Sequence, residues 1–211
     1  NRSDDVEAIA WWASQLEGAP KLLTLPFDHA RPDAQETPGA QVRVNLDEYL
    51  TGRAVSFCAV AGVTLNSALL ATWGALLMIL SGQTDVMVGL PHSLRQMTEL
   101  YPIVGMFINT LPVRLPFQLA TSFSAAGRRA QEAVGCALQN GKTPLYKIIE
   151  TQKLPRDTSY SPLYQTMFQV NTVDRAMADA DANEFDEPTV KVDLECRLFH
   201  TDGQVSGRLI Y

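Results

Sequence analysis

Metal-binding and disulfide chemistry have little to work with in this sequence. Its 211 residues contain three cysteines, Cys58, Cys136 and Cys196, and three histidines, His29, His92 and His200. The cysteines are odd in number, far apart and set among apolar neighbours. That argues against a disulfide framework and for reduced core positions. No cysteine stands at metal-ligand spacing from a histidine, so no zinc site is expected. His92 and His200 are single histidines and read as surface or satisfied core residues rather than catalytic bases. Positive charge is also short: 17 Lys and Arg against 23 Asp and Glu leave a formal charge of −6. The basic residues are scattered, and no basic and aromatic ribbon invites nucleic acid. Long unbroken apolar runs are missing too. The nearest, 63–80, is interrupted by Thr64, Asn66, Ser67 and Thr72 and reads as a buried helix, so no membrane association is expected. The opening Asn-Arg-Ser-Asp-Asp is polar and acidic, unlike a secretion signal, and the expected location is cytoplasmic.

What is present belongs to a globular chain. The apolar fraction is 46% and the charged fraction 19%, and the length suits one domain or at most two small ones. A helix is expected over 4–17, capped by Asp4 or Asp5, with Ile9, Trp12 and Leu16 along one face and Gly18 and Pro20 ending it. Pro20, Pro26, Pro32 and Pro38 make 19–40 an irregular extended segment. Residues 41–46 alternate as a strand. Asp47 caps a helix stopped by Gly62, and Thr64 caps a second one, to Leu80, whose broad apolar surface suggests packing on several sides. A strand over 85–90 and a loop over 91–102 follow. Ser122 caps a helix to about Leu138, and Pro144 opens another at its first helical position. Strands are expected over 163–170 and 189–199. The second shows Val190, Val192, Leu194, Cys196 and Leu198 inward and Lys191, Asp193, Glu195 and Arg197 outward. Asp202-Gly203 turns a hairpin into 204–211. The acidic stretch 174–188 between these strands reads as a mobile surface excursion. The order mixes strands, paired helices and a terminal hairpin. It predicts an α/β (or α+β) fold with a mixed sheet flanked by helices.

Residues 103–114, Ile-Val-Gly-Met-Phe-Ile-Asn-Thr-Leu-Pro-Val-Arg, are the most informative stretch. Val104, Phe107, Ile108, Leu111 and Val113 suit a buried extended segment around one polar pair, Asn109-Thr110. Gly105 permits a bend or a close backbone approach, and Pro112 points to a strand end, an edge or a bulge. A buried asparagine amide needs partners, or else it faces a channel.

This stretch resembles the IGxFVNTxxxR motif of the condensation domains of nonribosomal peptide synthetases. Four further segments match in order. Trp12 through Leu25 and Pro26, with Asp28, Arg31 and Pro32, resemble W-x-x-x-L…L-x-L-P-x-D-x-x-R-P. Gly89, Pro91 and Arg95 resemble G-x-P-x-x-x-R. Arg156-Asp157-Thr158-Ser159-Tyr160-Ser161-Pro162-Leu163-Tyr164-Gln165 resembles RDxSxxPLFQ. Gly203, Gly207 and Tyr211 resemble the closing G-x-x-x-G-x-x-x-Y strand.

The resemblance implies a chloramphenicol-acetyltransferase-like lobe and amide formation between a carrier-bound thioester donor and an amine acceptor. The family's HHxxxDG motif is absent, which implies that residues 1–211 are the C-terminal subdomain, inactive alone and without a catalytic residue of its own. The implied partners are the N-terminal lobe, peptidyl or acyl carrier domains and adjacent synthetase domains. No cofactor is bound directly; 4′-phosphopantetheine arrives on the carriers. Asn109 is then a channel residue or one that holds neighbouring strands, with Thr110 and Gly105 beside it in the motif. Arg95 holds the lobes together, approaches the phosphopantetheine arm or is a solvated loop residue. Gln165 points to the channel or sits on a ladder face. Arg156 and Asp157 clamp the loop before Ser159 and Pro162 by an ion pair. One departure stands out: where the family has H-Q-D-x-P-F, this chain has Asn140-Gly141-Lys142-Thr143-Pro144-Leu145. It implies an unusual subtype, one fed by a polyketide module in a hybrid polyketide-peptide synthase or one of degenerate activity. A silent relative that recruits carrier domains or tailoring enzymes is the second reading. A free-standing acyltransferase using a soluble donor is the third reading.

Overall fold

The computed structural model describes residues 2–95, 97–116, 121–154, 157–173 and 189–211. Helix α1 (Arg2–Gln15) precedes strand β1 (Gln41–Leu46), α2 (Glu48–Ala61), α3 (Leu65–Ser81) and β2 (Asp85–Ser93). A short 3-10 turn then leads to β3 (Ile108–Pro116), α4 (Phe123–Gln139), α5 (Leu145–Gln152), β4 (Thr166–Thr172), β5 (Leu194–Thr201) and β6 (Gln204–Ile210).

The strands form one six-stranded mixed sheet in the order β1-β6-β5-β4-β2-β3. β2, β4 and β5 run parallel, and β1, β6 and β3 are antiparallel to their neighbours. β3 is an edge strand, which is where Pro112, lacking an N–H, is tolerated in mid-strand. Gly89 lies on β2 opposite Met167 of β4. A Cβ there would come within 2.6 Å of the Tyr164 ring, so only glycine lets that ring lie on the strand.

The helix signals in the sequence are realised atom by atom. Asp47 accepts from the Leu50 N–H at 2.8 Å, Thr64 from Ser67 at 3.1 Å and Ser122 from Ala125 at 3.3 Å. Gly62 and Gly82 close α2 and α3 in the left-handed conformation, with φ of 68° and 71°. The core joins Trp12, Leu70, Leu77, Val88, Leu111, Ile148 and Phe168, all nearly solvent-free. Trp73 stacks on Phe168 and donates to the Thr166 hydroxyl at 3.2 Å, which satisfies the indole N–H inside the core.

Several expectations are corrected. α1 starts at Arg2, so Asp4 and Asp5 lie inside it rather than capping it. Pro144 is the cap of α5 and not its first residue. β2 runs on through His92 to Ser93, because β3 pairs with it out to Ile108. β3 begins at Ile108 and not at residue 103; Val104 is 99% exposed and Met106 87%. The Leu94 N–H still reaches the Phe107 carbonyl at 2.7 Å, but the pairing ends there, so residues 103–106 have no ladder to join. α3 is buried along one face, but Leu76, Ile79 and Leu80 are exposed. β4 begins at Thr166 because the Pro162–Tyr164 turn precedes it, and β5 begins at Leu194. Thr189 makes only an isolated bridge to Pro38. Asp193 is not outward: its side chain is 6% exposed. The stretch 174–188 and Arg156 lie outside the described residues. Among the described residues no single helix is long and apolar enough to cross a membrane.

Candidate functional site

Asn109 and Thr110 are neighbours in β3, and strand alternation sends them to opposite sheet faces. The Asn109 amide nitrogen donates to the carbonyls of Gly141 at 2.9 Å and Thr143 at 2.8 Å, and its oxygen accepts from the Leu145 N–H at 3.2 Å. One buried side chain thereby ties the α4–α5 connection to the sheet. It holds a helix connection rather than an adjacent strand. Trp12 reaches the same connection, donating from Nε1 to the Asn140 carbonyl at 3.1 Å.

Thr110 faces a cleft of about 400 Å³ on the other side, together with Ser161, Tyr164 and Gln169. Lys191, Glu195, Arg197 and Arg208 bring charge to it. Arg197 bonds Glu195 at 2.8 Å and Arg208 donates to Gln41 at 3.3 Å. Arg197, Arg208 and Arg43 stand directly opposite one another across β5, β6 and β1. Burial pushes the Tyr164 hydroxyl up, while a hydrogen bond with Thr110 opposes that. Alternation alone marks Glu195 and Arg197 as a pair on one face. Arg208 joins them only through the β5–β6 register, so sequence reading missed it.

Arg95 turns onto its own loop. Its guanidinium donates to the carbonyls of Leu100, Tyr101 at 3.3 Å and Ile103 at 2.9 Å, and lies 4.2 Å from the Phe107 ring centroid. Gly105 is in the same loop, where a Cβ would press on Phe107 at 3.2 Å. Arg95 thus shapes the apolar protrusion of Met97, Tyr101, Ile103, Val104 and Met106.

Gln165 is 2% exposed. Its carbonyl accepts from the Leu23 N–H at 2.7 Å and its amide donates to the Ser161 carbonyl at 2.8 Å, stitching the extended segment to the loop before β4. Asp157 accepts from both the Ser159 N–H at 2.8 Å and the Ser159 hydroxyl at 2.6 Å. Those bonds hold its carboxyl below the usual range. Pro162 opens a tight turn in which its carbonyl accepts from Tyr164 at 3.0 Å and Leu163 takes φ of 69°.

A further polar centre, to which sequence reading assigned no role, lies at Arg31. Arg31 donates to both oxygens of Asp193 and, at 3.0 Å, to the Ser159 carbonyl, with Phe27 and Tyr160 rings at 4.9 and 5.6 Å. Hydrogen bonding to Asp193 raises the Arg31 pKa further, against the opposing effect of burial. Among the described residues no cluster of His, Cys, Asp or Glu is placed to hold a metal ion.

The family model of the condensation domain matches residues 2–202. Malpinin synthetase of Mortierella alpina is 31% identical over 206 residues, covering 95% of this chain and 3% of that protein. A plipastatin synthase of Bacillus subtilis (strain 168) is 35% identical over 172 residues, covering 82% of this chain and 7% of that protein. The chain therefore spans a small fraction of the curated relatives it matches. Among solved structures, the X-domain from teicoplanin biosynthesis superposes with a TM-score of 0.86 at 26% identity, over 98% of this chain and 49% of that one. A four-domain nonribosomal peptide synthetase bound to AMP and glycine shares the fold, with a TM-score of 0.86 at 20% identity, over 97% of this chain and 17% of that one. The family resemblance read from the sequence and its mixed α/β fold agree with these matches: the chain belongs to the condensation-domain family.

Proposed function

We propose that residues 1–211 are the C-terminal lobe of a condensation domain that forms an amide between two carrier-bound substrates. The family match over residues 2–202 carries this reading. The 49% coverage of the teicoplanin X-domain supports the half-domain assignment. In the reaction, the acceptor amine attacks the donor thioester carbonyl, the C–N bond forms, the C–S bond breaks, and the amine proton leaves with the released thiol. Both substrates hang on 4′-phosphopantetheine arms of carrier domains, in a cytoplasmic synthetase with further domains on either side. Such chemistry needs the two ends aligned and a proton acceptor. This lobe supplies alignment: Asn109, Gln165 and Arg31 fix the sheet ends and loops that form one wall, and Thr110 faces inward from it. The proton acceptor belongs to the N-terminal lobe, whose docking would cover the protrusion shaped by Arg95 and Gly105.

The second reading is a silent relative that recruits another protein. The teicoplanin X-domain is seen in a complex with OxyB and shares the fold with a TM-score of 0.86 at 26% identity. Offering the parent domain two loaded carrier proteins separates the readings. Amide product supports the first. Carrier or enzyme binding with no product supports the second and overturns the first.

A further inference from the structure

The two edges of the sheet differ. β3 carries Pro112 in mid-strand, and Arg114 reaches from it to the carbonyls of Gln15 and Glu17, tying the end of α1 to it. β1, Gln-Val-Arg-Val-Asn-Leu, has no proline, and it pairs with β6 one to one, without a bulge, from Gln41 to Leu46. Prolines, bulges, covering segments and charges are the means by which exposed edges are closed to other strands. Of these, β1 has only the charge of Arg43.

The register shows which backbone groups this edge presents. Ala40 and Tyr211 exchange both of their backbone bonds, at 2.6 and 2.9 Å. Antiparallel pairs alternate, so Val42 and Val44 also bond β6, while the N–H and C=O of Arg43 and Asn45 point away from it. Among the described residues no second strand pairs with β1. Just upstream, Pro38 bridges Thr189, and among the described residues that pairing does not continue into β1.

The side chains say what an added strand would have to carry. Arg43 is exposed and ends the row that runs from Arg197 through Arg208, so the next residue outward on that face meets positive charge. On the other face Val44 and Leu46 pack on the core and Val42 is half exposed. A strand beside β1 would therefore set carboxylates on the arginine face and apolar residues beside Val42. Two copies of β1 centred on each other would set Arg43 against Arg43, and like charges directly opposite disfavour that pairing.

We propose that β1 is a docking edge at which an extended acidic segment of a partner protein, alternating carboxylate and apolar residues, adds a further strand to the sheet. The outward backbone groups of Arg43 and Asn45 supply the affinity, and Arg43 selects the charge. The inference does not depend on amide formation.

The test is amide hydrogen exchange of the parent domain, read residue by residue along β1. The probes are the capped peptides Glu-Val-Glu-Val-Glu and Lys-Val-Lys-Val-Lys. Without peptide, the Arg43 and Asn45 amides should exchange fast and those of Val42 and Val44 slowly. The glutamate peptide should slow Arg43 and Asn45 by roughly tenfold near saturation, and the lysine peptide should not. Arg43→Glu, at an exposed position, should reverse that preference. Asn45→Pro removes one outward N–H and no bond to β6, so it should weaken the glutamate peptide roughly fivefold. No slowing with the glutamate peptide, or equal slowing with both, overturns the proposal. So does an edge already slow without peptide, which means it is covered within the parent domain. Slowing that grows with protein concentration alone means that a second copy is the occupant, and overturns it too.

Discussion

Arg31 and Asp193, 162 positions apart in sequence, meet in a two-pronged ion pair that also holds the Ser159 carbonyl. Three segments far apart in the chain converge on it: the proline-rich crossing, the loop before β4 and the approach to β5. Arg31→Ala leaves a carboxylate that is 6% exposed without its partner. The expected loss is about 2 kcal/mol, short of a fully buried pair because 20% of the Arg31 side chain is exposed. Arg31→Lys should recover only part, having neither the fork nor the flat face that lies beside Phe27 and Tyr160. Urea unfolding of the three proteins checks the order.

Asn109→Asp is expected to be worse than Asn109→Ala. Alanine forfeits three hydrogen bonds of a buried amide, a loss of about 2–3 kcal/mol. Aspartate keeps the acceptor for Leu145 but turns a carboxylate oxygen toward the Gly141 and Thr143 carbonyls, so repulsion adds to the loss. Thermal unfolding of both variants decides it; equal stabilities would mean the amide geometry carries little.

Gly207→Ala should fail to fold. Gly207 pairs with Leu198 in the β5–β6 ladder, and a Cβ there would sit 2.0 Å from the Arg197 carbonyl oxygen and 2.8 Å from Leu198 Cα. Both obstacles are backbone and cannot swing aside. A cost above about 4 kcal/mol is expected, seen as loss of soluble protein, whereas Gly135→Ala, with no atom within 4 Å, should express normally.

The thiols should separate by reactivity. Burial pushes the Cys196 thiol up to about 12 and raises Cys58, while Cys136 is exposed. A native-state thiol assay is expected to count one fast cysteine, rising to three on unfolding. The pH dependence has a definite sign. The unfolded chain ionises Cys196 from about pH 8.5 upward while the folded chain holds its proton, so stability falls between about pH 9 and 12. Below that window both states keep the proton and the residue contributes no slope. Cys196→Val should flatten the alkaline side of the stability curve.

Local chemistry determines much of this protein. The caps Asp47, Thr64 and Ser122, the stops Gly62 and Gly82 and the Asp202-Gly203 turn depend on groups within a few residues of each other, so sequence alone places them. Motif spacing likewise marks Asn109, Gln165 and Asp157 as positions of consequence. What each one touches was decided only by the tertiary structure. The amide of Asn109 found the α4–α5 connection, Gln165 found the crossing segment at Leu23, and Asp193, outward by alternation, was claimed by Arg31. The same limit explains the overlong strand at 103–107 and the unpredicted row of Arg43, Arg208 and Arg197. Both depend on strand register, which is set by pairing between segments far apart in the chain and leaves no mark in either segment alone.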